Sequence, residues 1–96
     1  MKFGGVSMKK TFKITTPEGL HARPTALLVT AVTPFACDVQ LTYNDKSVNL
    51  KSIMGVMAQG IVTGSIVTIS AQGTDADQLM QTVTEVIVTK GIGEEC

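Results

Sequence analysis

The apolar residues of this chain switch repeatedly between a period of two and a period near 3.6, and neither period persists beyond one short element. That alternation points to a mixed domain of short strands and helices. "TFKITT" (residues 11–16) alternates with Phe12 and Ile14 on one side, and "PEG" stops it, so the first element is a strand. From Ala22 to Thr33 the spacing becomes helical, through Ala26, Leu28, Val29 and Val32, with Pro24 in the first turn and Pro34 beyond the end.

"DVQLTY" and "SVNLK" alternate again through Val39, Leu41, Tyr43, Val48 and Leu50, and "NDK" between them supplies hairpin turn chemistry. "IMGVMAQG" then reads as a short Met-rich helix closed by Gly60, and "SIVTISAQG" as a fourth strand through Val67, Ile69 and Ala71. Ala76, Leu79, Met80, Val83, Val86 and Ile87 fall on one helical face, with Thr74 as candidate N-cap and Gly91 as the C-terminal stop. The order is βαββαβα. Strands with one apolar face, interrupted by helices that cover that face, predict an α+β two-layer open-faced sandwich with the other sheet face in solvent.

A chain of 96 residues supplies one core, so one domain is expected over residues 8–96, and "MKFGGVS" (residues 1–7) is read as a leader ahead of a start at Met8. Eight Lys/Arg balance eight Asp/Glu without a basic run, and only Phe3, Phe12, Phe35 and Tyr43 are aromatic, which argues against nucleic acid as a direct partner. The apolar stretches are too short to span a membrane, so no membrane insertion is expected. Cys37 and Cys96 have neither a metal-ligand nor a disulfide spacing. They suggest a reduced, cytoplasmic protein in which Cys37 is a small buried apolar residue and Cys96 a frayed terminal thiol.

The lone histidine, His21, directly precedes the helix that starts at Ala22. Unpaired N–H groups of the first turn and the positive end of the helix dipole should therefore lie beside its ring, a place that favours a bound anion. The same field keeps a ring nitrogen available as nucleophile and stabilises negative charge once attached to it. A structural histidine is the bland alternative. Arg23, the only arginine, can offer its planar donor fork to phosphoryl oxygens, and as a cation at a helix start it opposes the dipole, which suggests a role beyond solubility. No P-loop, dinucleotide fingerprint or metal cluster is present, so no cofactor is expected and the phosphate must come from elsewhere.

Ser52 opens the Met-rich helix as an N-cap, and a phosphate placed there by a kinase would also meet the favourable end of that helix. Of Ile53, Met54 and Met57, at least one should serve as core, while the remainder offers an adaptable apolar surface for partners.

"GLHARP" (residues 19–24) and "KSIMGVM" (residues 51–57), separated by a hairpin, resemble HPr, the histidine-containing phosphocarrier family of the bacterial phosphotransferase system. The likeness runs from about Met8 to Glu95 and takes in "TISAQG" and "GIGEE". It implies a four-stranded antiparallel sheet in the order 1-4-2-3 covered on one face by three helices, and a monomer. It further implies that His21 accepts a phosphoryl group through Nδ1 from phosphorylated enzyme I and passes it to a sugar-specific enzyme IIA, with Arg23 holding the phosphoryl group. Leu20, Thr25, Ile53, Met54 and Met57 would form the partner surface. Ser52 matches the site that an HPr kinase/phosphorylase modifies in many relatives, the product acting with a catabolite-control transcription factor. Where many relatives carry lysines late in the first helix and before the fourth strand, this chain has Thr30, Thr33 and "VTGS", so steering toward an acidic enzyme I should be weaker. A regulatory paralogue is the alternative the resemblance leaves open.

Overall fold

The structure, a computed structural model, describes residues 6–96. Its elements run β1 (Val6–Ile14), α1 (Ala22–Val32), β2 (Asp38–Tyr43), β3 (Lys46–Asn49), α2 (Ile53–Met57), β4 (Ile66–Gly73), α3 (Ala76–Thr89) and β5 (Gly93–Glu95). The antiparallel sheet has the order β3-β2-β4-β1-β5, which is the expected 1-4-2-3 order with one added edge strand. Phe12, Ile14, Val39, Leu41, Val67 and Ile69 point from the sheet into a core completed by Leu28, Val32, Leu79, Met80, Val83 and Ile87 of the helices. Each such side chain contributes about 1.5–3 kcal/mol by leaving water. The opposite face carries hydroxyls in a row across four strands. Thr11 and Thr68 lie 3.3 Å apart and Thr42 and Ser47 2.6 Å apart at their side-chain oxygens.

Local chemistry explains the turns. Asn44 and Asp45 hold left-handed backbone, with φ of 51° and 65°, between the paired residues Tyr43 and Lys46. Two consecutive left-handed residues give the twist that a two-residue hairpin needs. At the end of α3, Ile92 N–H donates to the carbonyl of Ile87 at 2.9 Å and Gly91 N–H to that of Val88 at 3.3 Å, satisfying carbonyls that a helix end leaves free. The buried Ile92 then redirects the chain, and its carbonyl accepts from Thr15 and Thr16. This return lays β5 against Phe12, Lys13 and Ile14.

Four expectations are corrected. The sheet has five strands rather than four, because three residues after the α3 turn pair with β1 although they show no alternation. Asp75, not Thr74, occupies the N-cap position of α3, and its carboxylate is drawn away to a neighbouring loop. None of Ile53, Met54 and Met57 is core: Val56 alone is buried in a five-residue helix that can turn one position inward. Cys96 is exposed, but its N–H donates to the carbonyl of Thr11 at 3.0 Å, so the chain is held by β1 up to its last residue. Cys37 is buried as expected. Of the segment read as a leader, residues 1–5 lie outside the described residues, while Val6 and Ser7 pair with Gly73 and Gln72. Among the described residues no helix is long and apolar enough to cross a membrane.

Candidate functional site

The turn that carries His21 is built from both ends. Gly19 adopts φ +68°, and a β-carbon there would stand 2.5 Å from the carbonyl oxygen of Ile61. Only glycine allows the β1–α1 turn to approach the α2–β4 loop so closely. Leu20 N–H then donates to that same Ile61 carbonyl at 3.0 Å. On the inner side the hydroxyl of the fully buried Thr25 donates to the carbonyl of Leu20 at 2.9 Å. Leu20, itself 3 % exposed, anchors the turn in the core.

His21 sits at the N-cap of α1 with extended backbone (φ −78°, ψ −168°) and makes no side-chain capping bond. Pro24 in the first turn has no N–H to offer. Among the described residues nothing accepts from the N–H groups of Ala22 or Arg23, while Thr25 N–H bonds to the carbonyl of His21. The exposed ring therefore stands at a helix end whose leading donors are unspent, which is the arrangement that attracts an anion.

His21 lines a cleft of about 220 Å³ together with Pro17, Glu18, Leu20, Met57 and the Ile61–Thr63 stretch. Of the residues expected at a partner surface, Met57 therefore does meet His21 across a shared wall, and Met54 (81 % exposed) and Ile53 stand free on α2. Thr25 and Leu20 are both buried, the first with its hydroxyl spent inside the turn and the second packed in the core while also forming part of the cleft wall. Sequence reasoning missed Glu18, Val62 and Thr63. The glycine at residue 19 carried a trace of them, since a left-handed residue pressed on a neighbouring backbone implies a second loop at the site.

Arg23 lies on the other side. It lines a groove between α1 and α3 rather than the His21 cleft, and among the described residues its side chain makes no hydrogen bond or ion pair. Ser52 caps α2 as expected, its Oγ accepting from Gly55 N–H at 3.0 Å. Lys51, the neighbouring cation, is occupied elsewhere, donating to the carbonyl of Phe35 at 2.7 Å.

Comparison with known proteins gives this geometry a family. A sequence model described as the "PTS HPr component phosphorylation site" matches residues 8–89. The histidine-containing phosphocarrier protein of a mycoplasma superposes with a TM-score of 0.87 at 40 % identity, covering 90 % of this chain and 98 % of that one. The phosphocarrier protein HPr of Bacillus anthracis gives 0.78 at 36 % identity, covering 84 % and 96 %. Crh of Bacillus subtilis, a catabolite-repression protein solved as a swapped dimer, gives 0.68 at 37 % identity, covering 81 % and 90 %. With more than four-fifths of its length matched by the family model and a lone histidine at a donor-rich helix start, this chain belongs to the HPr phosphocarrier family of the phosphotransferase system.

Proposed function

We propose that this protein carries a phosphoryl group on His21, taking it from phosphorylated enzyme I and giving it to a sugar-specific enzyme IIA in the cytoplasm. The observation that carries the reading is the exposed His21 ring at an uncapped α1 start, beside N–H groups that nothing else uses. In loading, Nδ1 of His21 forms the new N–P bond as the donor's bond to phosphorus breaks; discharge to the acceptor reverses these roles, and no net oxidation or reduction occurs. The free N–H groups of Ala22 and Arg23 stabilise the negative charge that arrives with the phosphoryl group, and the Arg23 guanidinium, unpaired in the α1–α3 groove, turns toward His21 by a change of rotamer to add to it. Incubation with phosphoenolpyruvate and enzyme I should add one acid-labile phosphate that His21→Ala abolishes. A wild-type protein that gains no mass would overturn this assignment.

A second reading rests on the likeness to Crh and on the Ser52 hydroxyl at the start of α2. In it the chain is a regulatory paralogue, modified at Ser52 by an HPr kinase/phosphorylase and acting through a catabolite-control transcription factor. An acid-stable phosphate, placed by that kinase and absent from Ser52→Ala, distinguishes it. For both readings we take the protein as a monomer, with β1 paired on its two sides by β4 and β5 of its own chain.

A further inference from the structure

One acid shares the cleft with His21, and no lysine or arginine lines it. Gly19 N–H donates to the carbonyl of Thr16 at 3.0 Å, which closes a four-residue turn with Pro17 and Glu18 at its corners. Both corner residues are exposed, and Glu18 stands on the wall of the cleft that His21 lines. Among the described residues the Glu18 carboxylate takes part in no hydrogen bond or ion pair, so its charge has no structural task in the turn. The remaining walls are uncharged, Leu20, Met57, Ile61 and Thr63 among them. A compact space of about 220 Å³ is roughly 7–8 Å across, within one Debye length at physiological salt, so a charge on one wall is felt at the other.

We propose that Glu18 sets the energy at which His21 holds its phosphoryl group, raising it so that the loaded protein gives the group up more readily. The inference rests on the phosphocarrier reading and concerns the strength of the loaded state. The N–H groups at the start of α1 draw the phosphoryl charge from one side, and Glu18 repels it from the other. An uncharged imidazole does not feel this repulsion, whereas a dianionic phosphohistidine does, so the carboxylate raises the loaded state alone. The helix donors meet the phosphoryl oxygens; Glu18 acts through space, which makes it a tuning residue and not a catalytic one.

Phosphoryl exchange between wild type and Glu18→Gln, with a trace of enzyme I and with the variant isotope-labelled so that mass resolves the two, measures the effect directly. Each exchange breaks one Nδ1–P bond and forms another of the same kind, so the equilibrium ratio reports only the surroundings of His21. Enzyme I is a catalyst here, so a change in its docking alters the rate and leaves the ratio untouched. The phosphate should favour Glu18→Gln about three- to fivefold at low ionic strength, the ratio falling toward unity as salt rises. Glu18→Asp, which keeps the charge, should stay close to wild type. A ratio of unity for Glu18→Gln at low salt overturns the proposal even though His21 is phosphorylated normally. Absence of phosphate from the wild type overturns the carrier reading instead, and His21 phosphorylated chemically with phosphoramidate then still tests Glu18. The phosphorus NMR resonance should titrate at lower pH in Glu18→Gln than in wild type, because the dianion forms more easily without the carboxylate. Coincident titration curves overturn the proposal on this route.

Discussion

Cys37 and Asp75 join two segments 38 residues apart: the backbone N–H of Cys37 donates to one carboxylate oxygen of Asp75 at 3.1 Å, and the N–H of Ala36 to the other at 2.9 Å. Asp75 is thus the clasp between the α1–β2 loop and the start of α3. Lys51 closes the same loop from its other side through the Phe35 carbonyl. These contacts fix where α1 ends and α3 begins, and so set the groove between them.

The clasp makes a pH-dependent contribution to stability. Donation from the Ala36 N–H, opposed by some desolvation and reinforced by the Cys37 side chain and N–H, holds the Asp75 carboxyl below the ordinary aspartate value of 3.8. Because the folded value is the lower one, its stabilising effect is whole above that ordinary value and disappears as pH falls through the folded value. Asp75→Asn should therefore lower the urea midpoint at neutral pH, and the gap from wild type should narrow below pH 3.8. A gap that stays constant with pH would show that the carboxylate charge has no part in the clasp.

The same contact should quiet one of the two thiols. Burial, the hydrogen bond with Asp75 and that carboxylate's negative charge together raise the Cys37 thiol above its ordinary value, with only partial opposition from Lys51. Cys37 is 5 % exposed, whereas Cys96 is open to solvent. Alkylation under native conditions should label Cys96 rapidly and leave Cys37 untouched until denaturant is added. Mass analysis of the labelled peptides reads the order directly, and equal rates would contradict it.

Elements whose cause is local were legible in the sequence. Phe12 and Ile14 announce β1, the Ala76–Ile87 spacing announces α3, and the helix start is legible directly after His21. Elements whose cause lies elsewhere in the chain were not. β5 exists because Ile92 is buried and turns three residues onto β1, which no periodicity within "GIGEE" encodes. Asp75 abandons capping for donors 38 and 39 residues away, so composition alone favours Thr74. Thr25 looks like surface on α1 until its hydroxyl is seen closing the turn beneath His21.

The hairpin offers a stabilising substitution. Asp45 is held at φ +65°, a conformation that costs L-residues roughly 1–2 kcal/mol, less for Asp and Asn. Asp45→Gly should remove that strain and, after glycine's larger loss of chain entropy, raise stability by about 0.5 kcal/mol. Asn44→Val, a β-branched residue at φ +51°, should act in the opposite direction. Urea unfolding of both variants gives the two signs, and a stabilised Asn44→Val would refute the turn assignment.

Gly19 is where fold and site meet. Alanine at this position would incur both the strain of φ +68° and a contact of 2.5 Å with the Ile61 carbonyl, so the two loops must separate. Gly64 provides the control: its φ is +88°, but no atom lies within 4 Å of an added β-carbon. Gly64→Ala should therefore show the backbone strain alone, about 1–3 kcal/mol, and Gly19→Ala that loss plus the cost of parting the loops. Since the Leu20 N–H bond to Ile61 also positions the start of α1, Gly19→Ala should slow phosphoryl loading of His21 under conditions where the variant remains folded, whereas Gly64→Ala should not. Equal destabilisation with equal loading rates would mean that the α2–β4 loop does not hold His21 in place.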